Sequence, residues 1–176
     1  MNPRDSRQER LKKLARKIDA LAEKDTLLIR QTRDMAELRR RAALELHALC
    51  VRFIQSLNQL VTGPPIELDP AAYWPESFQD SGVNLLQINV RGRVLQIEFQ
   101  ATEQILSTEN FRVPYTLEGV VRCFNQRLLD QNLVEEQLLF YCVEKDSGHW
   151  RFFDARTYRS GPLDQDYLVS VMELVV

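Results

Sequence analysis

The chain has 176 residues, of which 44% are hydrophobic and 27% charged, an ordinary composition for a soluble protein. No apolar run approaches the roughly 20 residues that cross a bilayer, so we expect no membrane partner. Three isolated cysteines, Cys50, Cys123 and Cys142, argue against a disulfide framework and favour a reducing, cytoplasmic location.

The net charge of −2 hides an asymmetry between the two ends of the chain. Residues 1–60 carry 14 basic and 8 acidic side chains, whereas residues 61–176 carry 9 and 17. A basic segment joined to an acidic one favours a second copy, an acidic partner or nucleic acid as the binding partner.

Residues 4–62 contain neither glycine nor proline and are predicted to form one long helix of about 85–90 Å. With Leu11 at heptad position a, eleven of the fifteen a and d positions are apolar, which is typical of a coiled coil. The sequence therefore predicts a homo-oligomer, most simply a dimer, joined by this helix. The predicted seam consists of Leu11, Leu14, Ile18, Leu21, Leu28, Met35, Leu46, Leu49, Phe53 and Leu60.

The middle of the seam is weaker than its ends. Asp25, Thr32 and Arg39 occupy successive a positions, and Asp25-Thr26 offers the start of a second helix, so a break near residue 25 stays an alternative. From Ala42 onward the helix is apolar on more than one face. We expect residues 42–61 to pack on the following domain as well as on a partner helix; the alternative is a helix folded back along its own domain.

The densest basic cluster of the helix suggests a second use. Arg33, Arg39, Arg40 and Arg41 are candidate phosphate contacts, which would make the chain a nucleic-acid-associated accessory protein. No aromatic residue is interleaved with them to stack on bases, and a solvated helix face explains such a cluster equally well.

Residues 63–82 form a proline-containing connector, and residues 83–176 are predicted to form a small α+β domain. Val83–Val90 and Arg93–Ala101 flank Arg91-Gly92, a two-residue hairpin turn. If residue 90 faces residue 93, Ile88 opposes Leu95 on the same face of the sheet as the other apolar residues, so the pattern and the turn agree on the register.

The remaining elements complete the predicted order β-β-(β)-α-β-β-α with an antiparallel sheet. They are a short strand at Phe111–Tyr115, a helix from Thr116 to about Leu128, strands at Gln137–Glu144 and His149–Asp154, and a helix at about Leu163–Val175.

This element order resembles that of the small dimeric chaperones of type III secretion, and a coiled coil before a small domain is similar to the plan of some kinetochore subunits. Secretion-chaperone-like binding is therefore kept as an alternative function. It lies in the element order alone, and it assigns no site residue.

The sequence motifs favour an interaction protein over an enzyme. No His, Cys or Asp group has zinc-ligand spacing, and no glycine-rich phosphate loop is present, so we expect no catalytic site, metal or cofactor. The aromatic residues Trp74, Phe78, Trp150 and Phe153 are candidate partner contacts. The first hypothesis is therefore an adaptor that self-associates through its helix and docks another protein through its acidic α+β domain.

Overall fold

A computed structural model describes residues 3–109, 111–125, 134–145, 147–174 and 176. The chain divides into two compact units. Unit 1 comprises residues 1–37, and unit 2 comprises residues 38–176.

The first element, α1, is a single helix over Pro3–Asn58 that contributes residues to both units. Pro3 suits the first turn, because its missing N–H would have no partner there. The uninterrupted helix confirms the predicted long helix, and the alternative break near Asp25 is not observed. Thr26 does not cap a new helix; its hydroxyl donates to the Ala22 carbonyl oxygen at 2.8 Å.

The rest of unit 2 is a seven-stranded antiparallel sheet followed by a short helix, which confirms the α+β class. Each strand pairs with the next along the chain, so the sheet order is the sequence order. The elements are β1 (Glu67–Asp69), a 3-10 turn (Pro75–Ser77), β2 (Asn84–Val90), β3 (Arg93–Leu106), β4 (Tyr115–Asn125), β5 (Val134–Glu144), β6 (Ser147–Asp154), β7 (Arg159–Pro162) and α2 (Gln165–Glu173).

The hairpin of β2 and β3 has the predicted register. Val90 faces Arg93 and Ile88 faces Leu95. Arg91 and Gly92 both have positive φ, 52° and 88°, the conformation that a two-residue hairpin turn requires. Glycine takes this conformation without the steric cost that a side chain brings.

The segment predicted as a helix from Thr116 is strand β4, which corrects the predicted element order. It lies between β3 and β5, with Val121 facing Ile97 on one side and Gln137 on the other. The predicted third strand, Phe111–Tyr115, contributes only Tyr115 to this strand, and Leu128 falls outside the described residues. A strand is favoured here because the segment is rich in β-branched and aromatic residues and both neighbouring strands complete its hydrogen bonds.

The main core lies between one face of the sheet and the two helices. Leu46 and Phe53 of α1 and Leu168 of α2 belong to the same buried cluster as the sheet residues Leu95 and Tyr141. Residues of α1 from Ala42 onward therefore pack on the sheet domain, as expected. A smaller cluster contains Phe111, Tyr115, Phe140, Cys142 and Phe153.

Both outer strands of the sheet are short. β1 has three residues and pairs with β2, whereas β7 has four residues and pairs with β6. Pro70 follows β1 directly, and Pro162 ends β7. β1 and β7 themselves therefore present few backbone groups to a further strand, and proline supplies no N–H to one.

Candidate oligomerisation surface

Five large apolar side chains of unit 1 lie on one stripe of α1 and are exposed. We use the name N-terminal seam for Leu11, Leu14, Ile18, Leu21 and Leu28. Each has between 50% and 59% of its surface exposed. Within residues 7–37, all of which the structure describes, no side chain is buried, so unit 1 has no core of its own.

The positions that flank the N-terminal seam differ on its two sides. On the e side stand the exposed residues Ala15, Ala22 and Ile29, which widen the apolar stripe. On the g side stand three basic residues, one in each successive heptad: Arg10, Lys17 and Lys24. One edge of the stripe is therefore apolar and the other is positively charged.

Two polar residues interrupt the stripe after Leu21. Asp25 is an exposed a-position carboxylate, and Thr32 takes the next a position. The Thr32 hydroxyl donates to the Leu28 carbonyl oxygen at 2.9 Å, so its hydrogen bond is made within the helix. A polar layer of this kind lowers the stability of a coiled coil but fixes its register.

The C-terminal part of the predicted seam is used within the chain itself, which corrects the prediction for three residues. Leu46, Leu49 and Phe53 have 8% or less of their surface exposed and pack in the core of unit 2. In this conformation they are covered and cannot meet a second molecule. Met35 is half-buried and makes contacts of its own, whereas Leu60 lies beyond the end of α1 with 81% exposed.

Arg39 holds the a position after Thr32, but its side chain contacts the sheet. Nε donates to the Thr116 hydroxyl at 2.8 Å, and Nη2 donates to the Thr102 carbonyl oxygen at 2.5 Å. Both threonines are buried, and burial lowers the pKa of the Arg39 guanidinium from its usual value, an effect that Asp80 opposes. Arg39 thus fixes α1 to the sheet where unit 2 begins.

Replacing Arg39 by methionine should lower the free energy of unfolding by about 1–3 kcal/mol, because two charge-assisted hydrogen bonds to partly buried groups are lost. Urea unfolding followed by tryptophan fluorescence measures this change. The control is Arg52→Met, which removes an exposed arginine from the same helix. Equal losses in the two variants would contradict the role assigned to Arg39.

The other predicted phosphate contacts are partly neutralised. Arg33 pairs with Glu37 at 3.4 Å, and Arg40 pairs with Asp80 at 3.1 Å. Arg41 is exposed. With Arg39 turned towards the sheet, the four arginines do not present one common basic surface.

Only one of the four predicted partner-contact aromatics is exposed. Phe78, Trp150 and Phe153 are each 5–6% exposed, which corrects their assignment to a surface patch. The Trp150 indole Nε1 donates to the Ala42 carbonyl oxygen at 2.8 Å, and this bond ties β6 to α1. Trp74 remains at the surface, with 66% of its area exposed.

Two cavities in unit 2 have about 470 and 370 Å³ of free volume. The larger lies beside α2, where Asp164 accepts from the Tyr167 backbone N–H at 2.9 Å as a helix cap and Asp154 accepts from the Arg156 N–H at 2.9 Å. In the smaller, Arg122 is paired with two glutamates. These aspartates and Arg122 thus already serve the fold. Among the described residues, no group of three or more His, Cys, Asp or Glu side chains could hold a metal ion.

The three cysteine thiols are buried, and burial raises the pKa of Cys50 and Cys123 to about 12 and of Cys142 to about 11. At pH 8 the native protein should release almost no thionitrobenzoate from Ellman's reagent, because the reagent reacts with accessible thiolates. Denaturation in guanidinium should expose all three thiols. Rapid native labelling of any of them would contradict their placement in the core.

Comparison with protein-family models, with curated proteins and with solved structures finds no match for this chain. Among the helices that the structure describes, none combines the length and the apolar character that a membrane crossing demands.

Proposed function

We propose that this protein is a self-associating interaction protein, joined to a second copy of itself through the N-terminal seam. The observation that carries the proposal is the exposure of five large apolar side chains at heptad spacing. Soluble monomers rarely leave a long, contiguous apolar stripe in water, and such a stripe usually marks a protein contact.

The energetics of unit 1 support a partner. A helix without tertiary packing is only marginally stable, and residues 7–37 contain no buried side chain that would add to its stability. Burying one large apolar side chain contributes about 1.5–3 kcal/mol. The ten seam side chains, five from each copy, are already about half covered by their own helices, so burying the rest contributes about half of this value each. The total is comparable with the roughly 4–15 kcal/mol that association costs.

The spacing of the stripe favours another helix as the occupant. The a and d periodicity is what two helices need to pack side chains of one into spaces of the other. A second copy supplies this surface without any further component, and symmetric self-association is the commonest form of protein assembly. Nucleic acid is the weaker candidate, since Arg39 and Arg40 are engaged within the chain. Docking of a further protein through unit 2 stays a prediction. It is supported by Trp74, the one exposed residue among the four predicted partner-contact aromatics.

Sedimentation equilibrium of the full chain tests the proposal. At tens of micromolar we expect a mass of twice the 20.6 kDa chain, with partial dissociation on dilution. Circular dichroism at 222 nm should show helix content falling over the same dilution range. A protein that keeps the mass of one copy throughout this range contradicts self-association.

A further inference from the structure

We infer that the two copies pair with their helices parallel and in register, so that each N-terminal seam residue faces its own equivalent. This inference rests on the proposed self-association and adds the geometry of the pair. It follows from the order of apolar, polar and basic residues along the exposed face of α1.

Parallel alignment keeps apolar residues together. In an in-register parallel pair, a residues face a residues and d residues face d residues. Leu14, Leu21 and Leu28, all at d, then form leucine layers, and Ile18 faces Ile18. Leucine at d with a β-branched residue at a is the combination that favours two parallel strands.

The polar residues of the stripe are also matched by this alignment. Asp25 faces Asp25 of the second copy, which brings two like charges together, and Lys24 of each chain stands beside that layer, so two ammonium groups offset the repulsion between the carboxylates. Thr32 faces Thr32. No leucine has to share a layer with a carboxylate.

Antiparallel alignment mixes the two classes, because a residues then face d residues. The alignment that sets Leu11 against Leu28 of the second copy also sets Leu14 against Asp25 of the second copy, and by symmetry it does so twice. A one-heptad shift that sets Leu11 against Met35 of the second copy places Asp25 against Leu21. A carboxylate buried against leucine without a partner is costly.

The basic flank gives an independent argument for the parallel pair. In a parallel pair a g residue faces the e residue five positions later in the other chain, so Lys17 lies over Ala22 and Lys24 over Ile29. The aliphatic stem of Lys17 can cover Ala22 while its ammonium group stays in water, and the stem of Lys24 can cover Ile29 while its ammonium group lies beside the Asp25 layer. In the first antiparallel alignment, g faces g, and Lys17 meets Lys24 of the second copy twice, which like charges disfavour.

Disulfide formation by single-cysteine variants of the full chain tests the orientation. Leu14→Cys and Leu28→Cys place a thiol at two d positions about 21 Å apart along the helix. Only a parallel, in-register pair brings both thiols next to their own equivalents. An antiparallel pair brings a residue to itself only at its symmetry centre, so at most one of the two variants can cross-link. Arg16→Cys, on the opposite face, is the control.

We expect both d-position variants to form covalent dimers under mild oxidation, at least tenfold faster than Arg16→Cys. The three native thiols are buried, so the background should be low. The mass of each reduced variant is measured first, at a concentration where it is dimeric. Single-copy mass for the unmodified chain defeats the proposed self-association, whereas a dimer that cross-links at one site or neither overturns the parallel arrangement alone.

Charge reversal at a g position gives a second measurement. In a parallel pair Lys17→Glu faces Ala22, so its dissociation constant should stay within about threefold of that of Lys13→Glu, an equal charge change at the outward c position. In the antiparallel pair, Lys17→Glu would replace two lysine–lysine contacts by glutamate–lysine contacts. Tighter association of Lys17→Glu than of Lys13→Glu by tenfold or more would overturn the inference.

Discussion

Under the proposed self-association, replacing Leu21 by aspartate should convert the pair into single copies while the sheet unit stays folded. Leu21 is 59% exposed in the chain and stands at the centre of the N-terminal seam. The substitution removes two leucines from one layer and brings two carboxylates into it. A loss of about 3 kcal/mol or more would raise the dissociation constant at least about 100-fold. Sedimentation velocity at matched concentrations measures this change.

Leu27→Asp is the matched control for this experiment. Leu27 is 56% exposed on the same helix, but it lies at the c position, on the face away from the seam. The control introduces the same charge and removes the same side chain, so it should leave the dissociation constant nearly unchanged. If both variants dissociate equally, general loss of helix stability explains the result and the seam does not. If neither dissociates, Leu21 is not at the interface.

Replacing Leu46 by alanine should lower the stability of the fold and leave association unchanged, the opposite of what we expect for Leu21→Asp. Leu46 continues the same heptad series, but it is fully buried in the core of unit 2. Leaving a cavity there should lower the free energy of unfolding by about 2–5 kcal/mol. Association at a temperature where the variant is folded should be unchanged. Urea unfolding followed by the fluorescence of Trp150, which is buried in the same cluster, reports the loss.

Leu60→Ala provides the control for Leu46→Ala. Leu60 was predicted in the same seam, yet it lies after the end of α1 with 81% of its surface exposed. Its truncation should change the free energy of unfolding by no more than about 0.5 kcal/mol. A small effect of Leu46→Ala, or weakened association with normal stability, would contradict its placement in the core.

These two expectations separate roles that a single apolar period cannot distinguish. An apolar repeat of 3.5 residues indicates that one face of a helix is buried. It does not show whether that face packs on a second helix or on the chain's own sheet. The wider apolar arc from Ala42 onward was the available signal, and it correctly predicted contact with the domain. The role of Arg39 had no such signal, because its partners Thr102 and Thr116 lie more than 60 residues away along the chain.

Local patterns predicted the elements whose cause is local. The long helix follows from the absence of glycine and proline between residues 4 and 62, and the β2–β3 hairpin follows from a turn dipeptide between two alternating runs. The cause of α2 is also local: helical spacing places Tyr167, Leu168, Val171 and Met172 on its buried face, and Asp164 caps its first turn.

Strand β4 shows where local patterns fail. Leu117, Val121 and Phe124 have helical spacing, and Thr116 resembles a helix cap, so the pattern favoured a helix. The strand is decided by its neighbours, because β3 and β5 pair with it along both sides. Gly119 fits this setting: a side chain there would collide with the backbone of Glu98 and Phe99 on β3. Such a close approach is a property of the sheet and leaves no periodic trace in the sequence.

The short outer strands, each next to or ending in a proline, have a consequence under the proposed self-association. Pairing through the helices raises the local concentration of neighbouring sheets, and a long bare edge would then recruit another edge into fibres. β1 has three residues and is followed by Pro70, and β7 has four residues and ends at Pro162. These strands therefore offer few backbone groups to which a further strand could pair. Under the proposed self-association, the number of copies would then be set by α1, since the outer strands β1 and β7 offer few backbone groups for further pairing.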